Sequence, residues 1–355
     1  MGLQFSVVRK TFHFRFDART SRGRMPHKTS WFVVLRHTGN PSVAGIGECG
    51  PLAGLSIEPP DKIEQILEDI LSKLNNQREF SDQAINGLVP PEWSAVRFAL
   101  ETAWLDYRHG GRRLIFDNAF ISGKPIPING LIWMGDLDFM LRQVAEKIAQ
   151  GYTVLKIKVG GLDFERECEI LEYIRRRYYR ENPVIRLDAN GAFKPAEALL
   201  KLKELSRFRI HSIEQPVAPK LDVMEEICRE SPIPVALDEE LIGIADETLK
   251  RNLLRKLKPA YLILKPSLHG GLSGCASWIS LAEQHNIGWW ITSALESSIG
   301  LNAICQFTAQ YPVTCAHGLG TGQIYENNFP SPLHADAGMI RYDAGKSWEL
   351  HDLLT

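Results

Sequence analysis

Leu155-Lys156-Ile157-Lys158-Val159 sets two lysines one residue apart in a stretch that otherwise reads as a buried strand. Side chains alternate along a strand, so both amines share one face. A lysine pair would be out of place against a layer of helices, so that face is expected to be the interior of a closed sheet. Three acids follow, each closing another apolar run: Asp188 after residues 184–187, Glu214 after 210–213 and Asp238 after 234–237. Lys265 then closes the run 261–264. Counted from Lys158, the intervals are 30, 26, 24 and 27 residues. Each is about one strand–loop–helix–loop unit, so equivalent positions recur around one rim.

The flanking sequence has the same period. Strands are expected at 128–133, 153–159, 184–187, 210–213, 234–237, 261–264, 288–291 and 313–316, with helical stretches between most of them. One such helix, near 138–150, carries Leu141, Val144, Ala145 and Ile148 on one face and ends at Gly151. Eight alternating units over about 200 residues predict a closed parallel barrel. Three parts are expected: a capping unit over 1–120, a barrel over 121–324, and a tail over 325–355 that folds back onto the capping unit. The first part reads as a short antiparallel meander near 5–16, 31–37 and 43–48, followed by helices near 63–74 and 92–107. Between the first two strands, residues 17–28 carry Arg19, Arg22, Arg24 and Lys28. That loop is either a solvated hairpin tip or a cationic flap over an anionic substrate.

Bulk composition bounds the rest. The 355 residues are 44% hydrophobic and 23% charged, as in an ordinary globular chain, and the net charge of −1 suggests neither a nucleic-acid nor a membrane partner. The opening residues read as a strand rather than a signal peptide. Cys49, Cys168, Cys228, Cys275, Cys305 and Cys315 are scattered, which predicts a reducing, cytoplasmic setting.

Three acids converging on one rim repel one another unless a cation lies between them. A hard divalent ion with oxygen ligands fits, Mg²⁺ foremost with Mn²⁺ as a substitute, and the lack of His or Cys at these positions disfavours zinc. Each residue has a plainer reading on its own: Asp188 a turn aspartate, Glu214 a solvated strand end, Asp238 a helix start beside Glu239 and Glu240, Lys265 a rim lysine. The ordered series is what favours a site. Gly318, Gly320 and Gly322 lack dinucleotide-fingerprint spacing. They read as backbone approaching a carboxylate- or phosphate-sized group, or as a tight rim turn.

Lys156/Lys158, Asp188, Glu214, Asp238 and Lys265 in this order resemble the enolase superfamily, and within it the muconate-lactonizing subgroup. The resemblance implies an α/β fold, a modified TIM (β/α) barrel with an α+β N-terminal capping domain. It implies Mg²⁺ on Asp188, Glu214 and Asp238, with Lys158 as base, Lys265 on the opposite face, and Lys156 beside them. Arg186-Leu-Asp-Ala-Asn-Gly-Ala-Phe193, Ser293-Ala-Leu-Glu-Ser-Ser-Ile-Gly300 and Gly318-Leu-Gly-Thr-Gly322 are most similar to the dehydratases of the subgroup. That likeness implies loss of water from a succinyl-bearing cyclohexadiene carboxylate in menaquinone biosynthesis. Arg19, Arg186, Asn190, Ser293, Glu296, Ser297, Gly320 and Thr321 are the candidates for holding this small carboxylate. Dipeptide epimerases of the subgroup carry Asp-x-Asp on the eighth strand. Here His317-Gly-Leu-Gly-Thr321 has no acid. Gln215 stands where many relatives have a second Glu. An N-acylamino acid racemase or dipeptide epimerase, a Schiff-base aldolase and a non-catalytic binding barrel stay open as rivals. The oligomeric state is not legible.

Overall fold

The computed structural model describes residues 2–20, 23–76 and 80–354, without the side chains of Arg19, Thr20 and Pro41. It begins with three long antiparallel strands in the order β1 (Leu3–His13), β4 (His27–His37) and β5 (Asn40–Cys49). A small hairpin, β2 (Arg19–Thr20) and β3 (Gly23–Arg24), interrupts the first crossing. The centre of β4, Trp31–Val33–Leu35 on one face and Phe32–Val34 on the other, is buried on both sides. This is why it reads as a continuous apolar run rather than an alternation. Trp31, Val33 and Leu35 pack with Phe5 against α1 (Ile63–Asn75) and α3 (Ser94–Arg108). A short helix that the sequence did not suggest, α2 (Asp82–Leu88), lies between them in the chain. Helix α3 lies so close on β5 that a Cβ at Gly47 would come within 1.8 Å of the Ala99 carbonyl oxygen. Only glycine permits that approach.

After β6 (Ile126–Pro127), strands and helices alternate. They are β7 (Gly130–Ile132), α4 (Leu137–Ala149), β8 (Val154–Lys158), α5 (Phe164–Arg177), β9 (Val184–Asp188), α6 (Pro195–Ser206), β10 (Ser212–Glu214) and α7 (Val223–Glu230). The series continues through β11 (Val235–Leu237), α8 (Glu247–Leu257), β12 (Tyr261–Leu264), α9 (Gly271–Gln284), β13 (Gly288–Ile291) and α10 (Ser298–Thr308). Strands β7 to β13 form one parallel seven-stranded sheet in sequence order. The ring closes through single parallel bridges, Thr292 to Gly318 and Ile128 to His317. The eighth strand therefore lies at 317–318 rather than the expected 313–316. A Cβ at Gly318 would sit 2.3 Å from Thr292 Oγ1, so the seam closes where there is no side chain. Inside the barrel, Arg186 lies over Trp290 at 3.9 Å, with Tyr261 and His211 stacked beside it.

The tail meets the small sheet twice. Tyr325 bridges Phe14, and Phe329 packs on Phe12 and Phe32. Strands β14 (Leu333–Asp336) and β15 (Met339–Tyr342) then pair with β6, where Ile340 joins the barrel core. The chain returns to the small sheet at its end, where Leu350 and Leu353 pack with Phe12, Phe32, Val34 and Ile46, Leu353 lying in α11 (His351–Leu354).

Two acids, one half-buried and one fully buried, join cap and barrel. Glu101 of α3 accepts from Leu272 N at 2.6 Å at the start of α9. Glu48 of β5 is fully buried and accepts from Ser30 Oγ at 2.8 Å, Ser297 Oγ at 2.6 Å and the Ser297 and Gly300 amides at 3.0 Å. Those amides are at the start of α10, where a carboxylate satisfies orphan donors and complements the helix dipole. Replacing Glu48 by Ala strands these donors and is expected to cost about 2–4 kcal/mol. Chemical denaturation against wild type measures it; an unchanged midpoint would contradict the role.

Candidate active site

Strand register assembles the rim. Lys158 pairs with Asp188 across β8 and β9, and Asp188 with Glu214 across β9 and β10. The side chains then interleave by charge. Lys156 Nζ lies 2.9 Å from Asp188 Oδ2 and 2.7 Å from Glu214 Oε2. Lys158 Nζ lies 2.9 Å from the same Asp188 oxygen and 2.7 Å from Asn190 Oδ1. Lys265 Nζ bonds Asp238 Oδ2 and stands 3.9 Å from Glu214 Oε1. All six charged groups are nearly buried. Burial opposes the charge on Lys156, yet Asp188, Glu214 and Asp238 together raise its pKa well above the usual lysine value. Lys265 is raised in the same way, chiefly by Asp238 against its burial. Around both amines the carboxylates outweigh the neighbouring lysines. Asp188 is lowered, with Lys156 and Lys158 overcoming burial. Glu214 is pushed up by burial and then by repulsion from Asp188.

Around the acids is a layer that the sequence did not reveal. Gln215 is fully buried in a left-handed conformation (φ 41°) and donates to Val217 O and Glu240 Oε2. Its Oε1 accepts from the amides of Asp238 and Glu240, at 3.3 and 3.1 Å. Asn190 (φ 44°) uses its other end to donate to Glu239 Oε1 at 3.0 Å. His269 Nδ1 accepts from Lys265 N at 2.9 Å, and burial lowers its pKa to about 4, so it is neutral with Nε2–H turned toward Asp238. The only available signal for His269 was its place four residues after Lys265.

No group of three or more His, Cys, Asp or Glu among the described residues forms a ready metal cage, because lysine ammoniums stand between the acids. The donor set nonetheless suits a hard cation: it is all carboxylate oxygen, and buried Asp238 Oδ1 has no hydrogen-bond partner.

A cavity of about 680 Å³ opens above this rim and under the cap. Its barrel side includes Lys156, Lys158, Asp188, Asn190, Lys265, Ser293, Gly320 and Thr321, and its cap side Arg24, His27, Lys28, Trp31, Leu52 and Leu55. Glu214 and Asp238 do not line it but bond the lysines that do, and three candidates for holding substrate are not brought to it. Glu296 is fully buried behind the wall, bonded to Ser267, Ser293 and the Ala294 amide. Ser297 is held by Glu48. Arg186 lies deeper in the barrel and donates to Ala316 O at 2.7 Å. Arg22 and the Arg19 side chain lie outside the described residues.

The family model described as enolase C-terminal domain-like matches residues 140–346. The capped barrel is in keeping with that match, and the chain belongs to the enolase superfamily. The o-succinylbenzoate synthase of Desulfotalea psychrophila is 42% identical over 96% of this chain and 99% of its own length. The crystal structure of MenC from the same organism superposes with a TM-score of 0.86 at 41% identity, covering 96% of this chain and all of that one. A dipeptide epimerase from Enterococcus faecalis, solved with Mg and a dipeptide, shares the fold at TM-score 0.81 and 19% identity, covering 98% of each chain.

Lys156→Met removes the ammonium between Asp188 and Glu214 and leaves only Lys158 beside the one and Lys265 beside the other. The expected cost in metal-free buffer is about 3–5 kcal/mol. Urea unfolding measures it, and a loss under about 1 kcal/mol would show that Lys156 does not neutralise the pair.

Proposed function

We propose that this chain catalyses the o-succinylbenzoate synthase reaction. Water leaves 2-succinyl-6-hydroxy-2,4-cyclohexadiene-1-carboxylate by syn elimination, giving 2-succinylbenzoate, a carbon–oxygen lyase step of menaquinone biosynthesis. The observation that carries this reading is the pair of amines, Lys158 and Lys265, lining one cavity at separate acids of the rim. The 42% identity to an o-succinylbenzoate synthase gives the substrate class.

Lys158 acts on the proton alpha to the ring carboxylate, its amine aimed by Asn190 and Asp188. The resulting ammonium, on the same face, returns that proton to the departing ring hydroxyl. The proton and hydroxide leave as water and the ring becomes aromatic. Lys265, held as an ammonium, stabilises the enolate from the other face, where negative charge develops. Asp188, Glu214 and Asp238 would hold Mg²⁺, or Mn²⁺ in its place. Such an ion would stabilise charge on the carboxylate oxygens. Making room for it requires Lys156 to move from between Asp188 and Glu214. Ser293, Gly320 and Thr321 border the ring, and the cap excludes water from it. Glu296 and Ser297 serve by fixing the 293–297 turn, and Arg186 by filling the barrel floor.

An N-acylamino acid racemase or dipeptide epimerase reaction is the second reading, favoured by the same two facing amines. Deuterium exchange at the alpha carbon of N-succinyl amino acids distinguishes it. No helix among the described residues is long and apolar enough to cross a membrane, and all six cysteines are free. We assign the enzyme to the reducing cytoplasm on the cysteines.

Lys158→Ala is expected to lower aromatic product formation by at least roughly 10²–10⁴-fold with an unchanged circular dichroism spectrum. Turnover above a tenth of wild type would remove Lys158 as the base. Exhaustive EDTA treatment should abolish turnover and Mg²⁺ restore it. A chelated enzyme at full rate would instead favour a Schiff-base reaction, which borohydride trapping would then locate.

A further inference from the structure

Lys28, at the start of β4, is only 4% exposed and lines the same cavity as Lys156, Lys158 and Lys265. An ammonium has three donors. Two are used, on the carbonyl oxygens of Ala294 at 3.2 Å and Leu295 at 2.8 Å. No carboxylate among the described residues lies within ion-pair distance of it, whereas all three rim lysines have such partners. A buried cation served by neutral carbonyls alone is costly unless an anion completes it.

The surroundings are shaped to keep this ammonium in place. A Cβ at Gly50 would meet Lys28 Nζ at 2.7 Å and Ser30 Oγ at 2.9 Å, so glycine leaves the space that the charged head fills. The other cations of this wall are already engaged. Arg24 is largely exposed and bonds Asp17 at 2.6 Å, and Arg9 lies 5.9 Å from the centre of the Trp31 ring. Among the described residues, the cavity thus has a rim cluster at its barrel side and one enclosed ammonium without a carboxylate partner at its cap side.

We infer that Lys28 binds the terminal carboxylate on the side chain of a dianionic ligand whose other carboxylate lies at the barrel rim. This rests on the dehydratase reading above and assigns the succinyl end of that substrate to the cap. It also makes the cap a determinant of specificity: a site that holds a carboxylate with a buried cation rejects an uncharged analogue that leaves the cation unpaired.

The test is equilibrium binding, by calorimetry, of 2-succinylbenzoate and of its terminal primary amide to wild type and to Lys28→Met. Wild type should prefer the diacid by about 10–100-fold, and Lys28→Met should bind both alike with its melting temperature reported alongside. Gly50→Ala keeps the lysine and displaces its head; it should show the same loss of preference, and it decides the matter if Lys28→Met does not fold. Equal binding by wild type, or a preference that survives both variants, would overturn the assignment. Turnover of the cyclohexadiene is measured separately. A wild type that prefers the diacid but forms no aromatic product loses the dehydratase reading and keeps Lys28 as a carboxylate site.

Discussion

The Lys156 ammonium between Asp188 and Glu214 is the contact on which the rim depends. Strand register alone forces these acids together, since Asp188 and Glu214 are direct neighbours across β9 and β10. Buried without a cation, their repulsion would open the barrel at its centre. Interleaved with lysines, they become a rigid array in which each amine has a fixed position. The unusual backbone at Asn190 and Gln215 follows from this arrangement. Both residues leave the strand in a left-handed turn just past an acid, and both use their side chains to tie neighbouring strand ends together. Asparagine tolerates that conformation readily; at Gln215 four hydrogen bonds hold it.

Cap and barrel are coupled at the same turn. Glu48 and Lys28 reach from the small sheet to residues 294–300, while Glu296 reaches from that turn to Ser267, two residues beyond Lys265. The wall of the cavity is therefore a continuous hydrogen-bonded layer rather than two surfaces in loose contact.

The fold was legible because parallel strands in a barrel are buried on both faces and end at one rim. A charged residue after an apolar run, repeated once per unit, can then have few other meanings. The lysines and acids of the rim were read by that rule, and their meeting in space follows from it. Features set by long-range contact were not legible. The eighth strand is two residues held by single bridges, and its position is decided by Thr292 packing on Gly318, not by any local pattern. Glu296 looked like a substrate ligand because a carboxylate in a polar rim segment gives no sign of whether it faces the cavity or lies behind it. Lys28 was legible as a charge in a basic loop, but its enclosure depends on Gly50 and on a turn more than two hundred residues away in sequence.

The apolar face of the small sheet that holds Phe12, Phe32 and Val34 is covered by Tyr325, Phe329, Leu350 and Leu353. On a ribosome, the first fifty residues emerge long before those four exist. Until then that face of β4 lacks its cover, because Tyr325 comes about 290 residues after Val34. The capping sheet is thus translated well before the segments that complete it, and its apolar face is a surface the chain must keep from other chains in the interval.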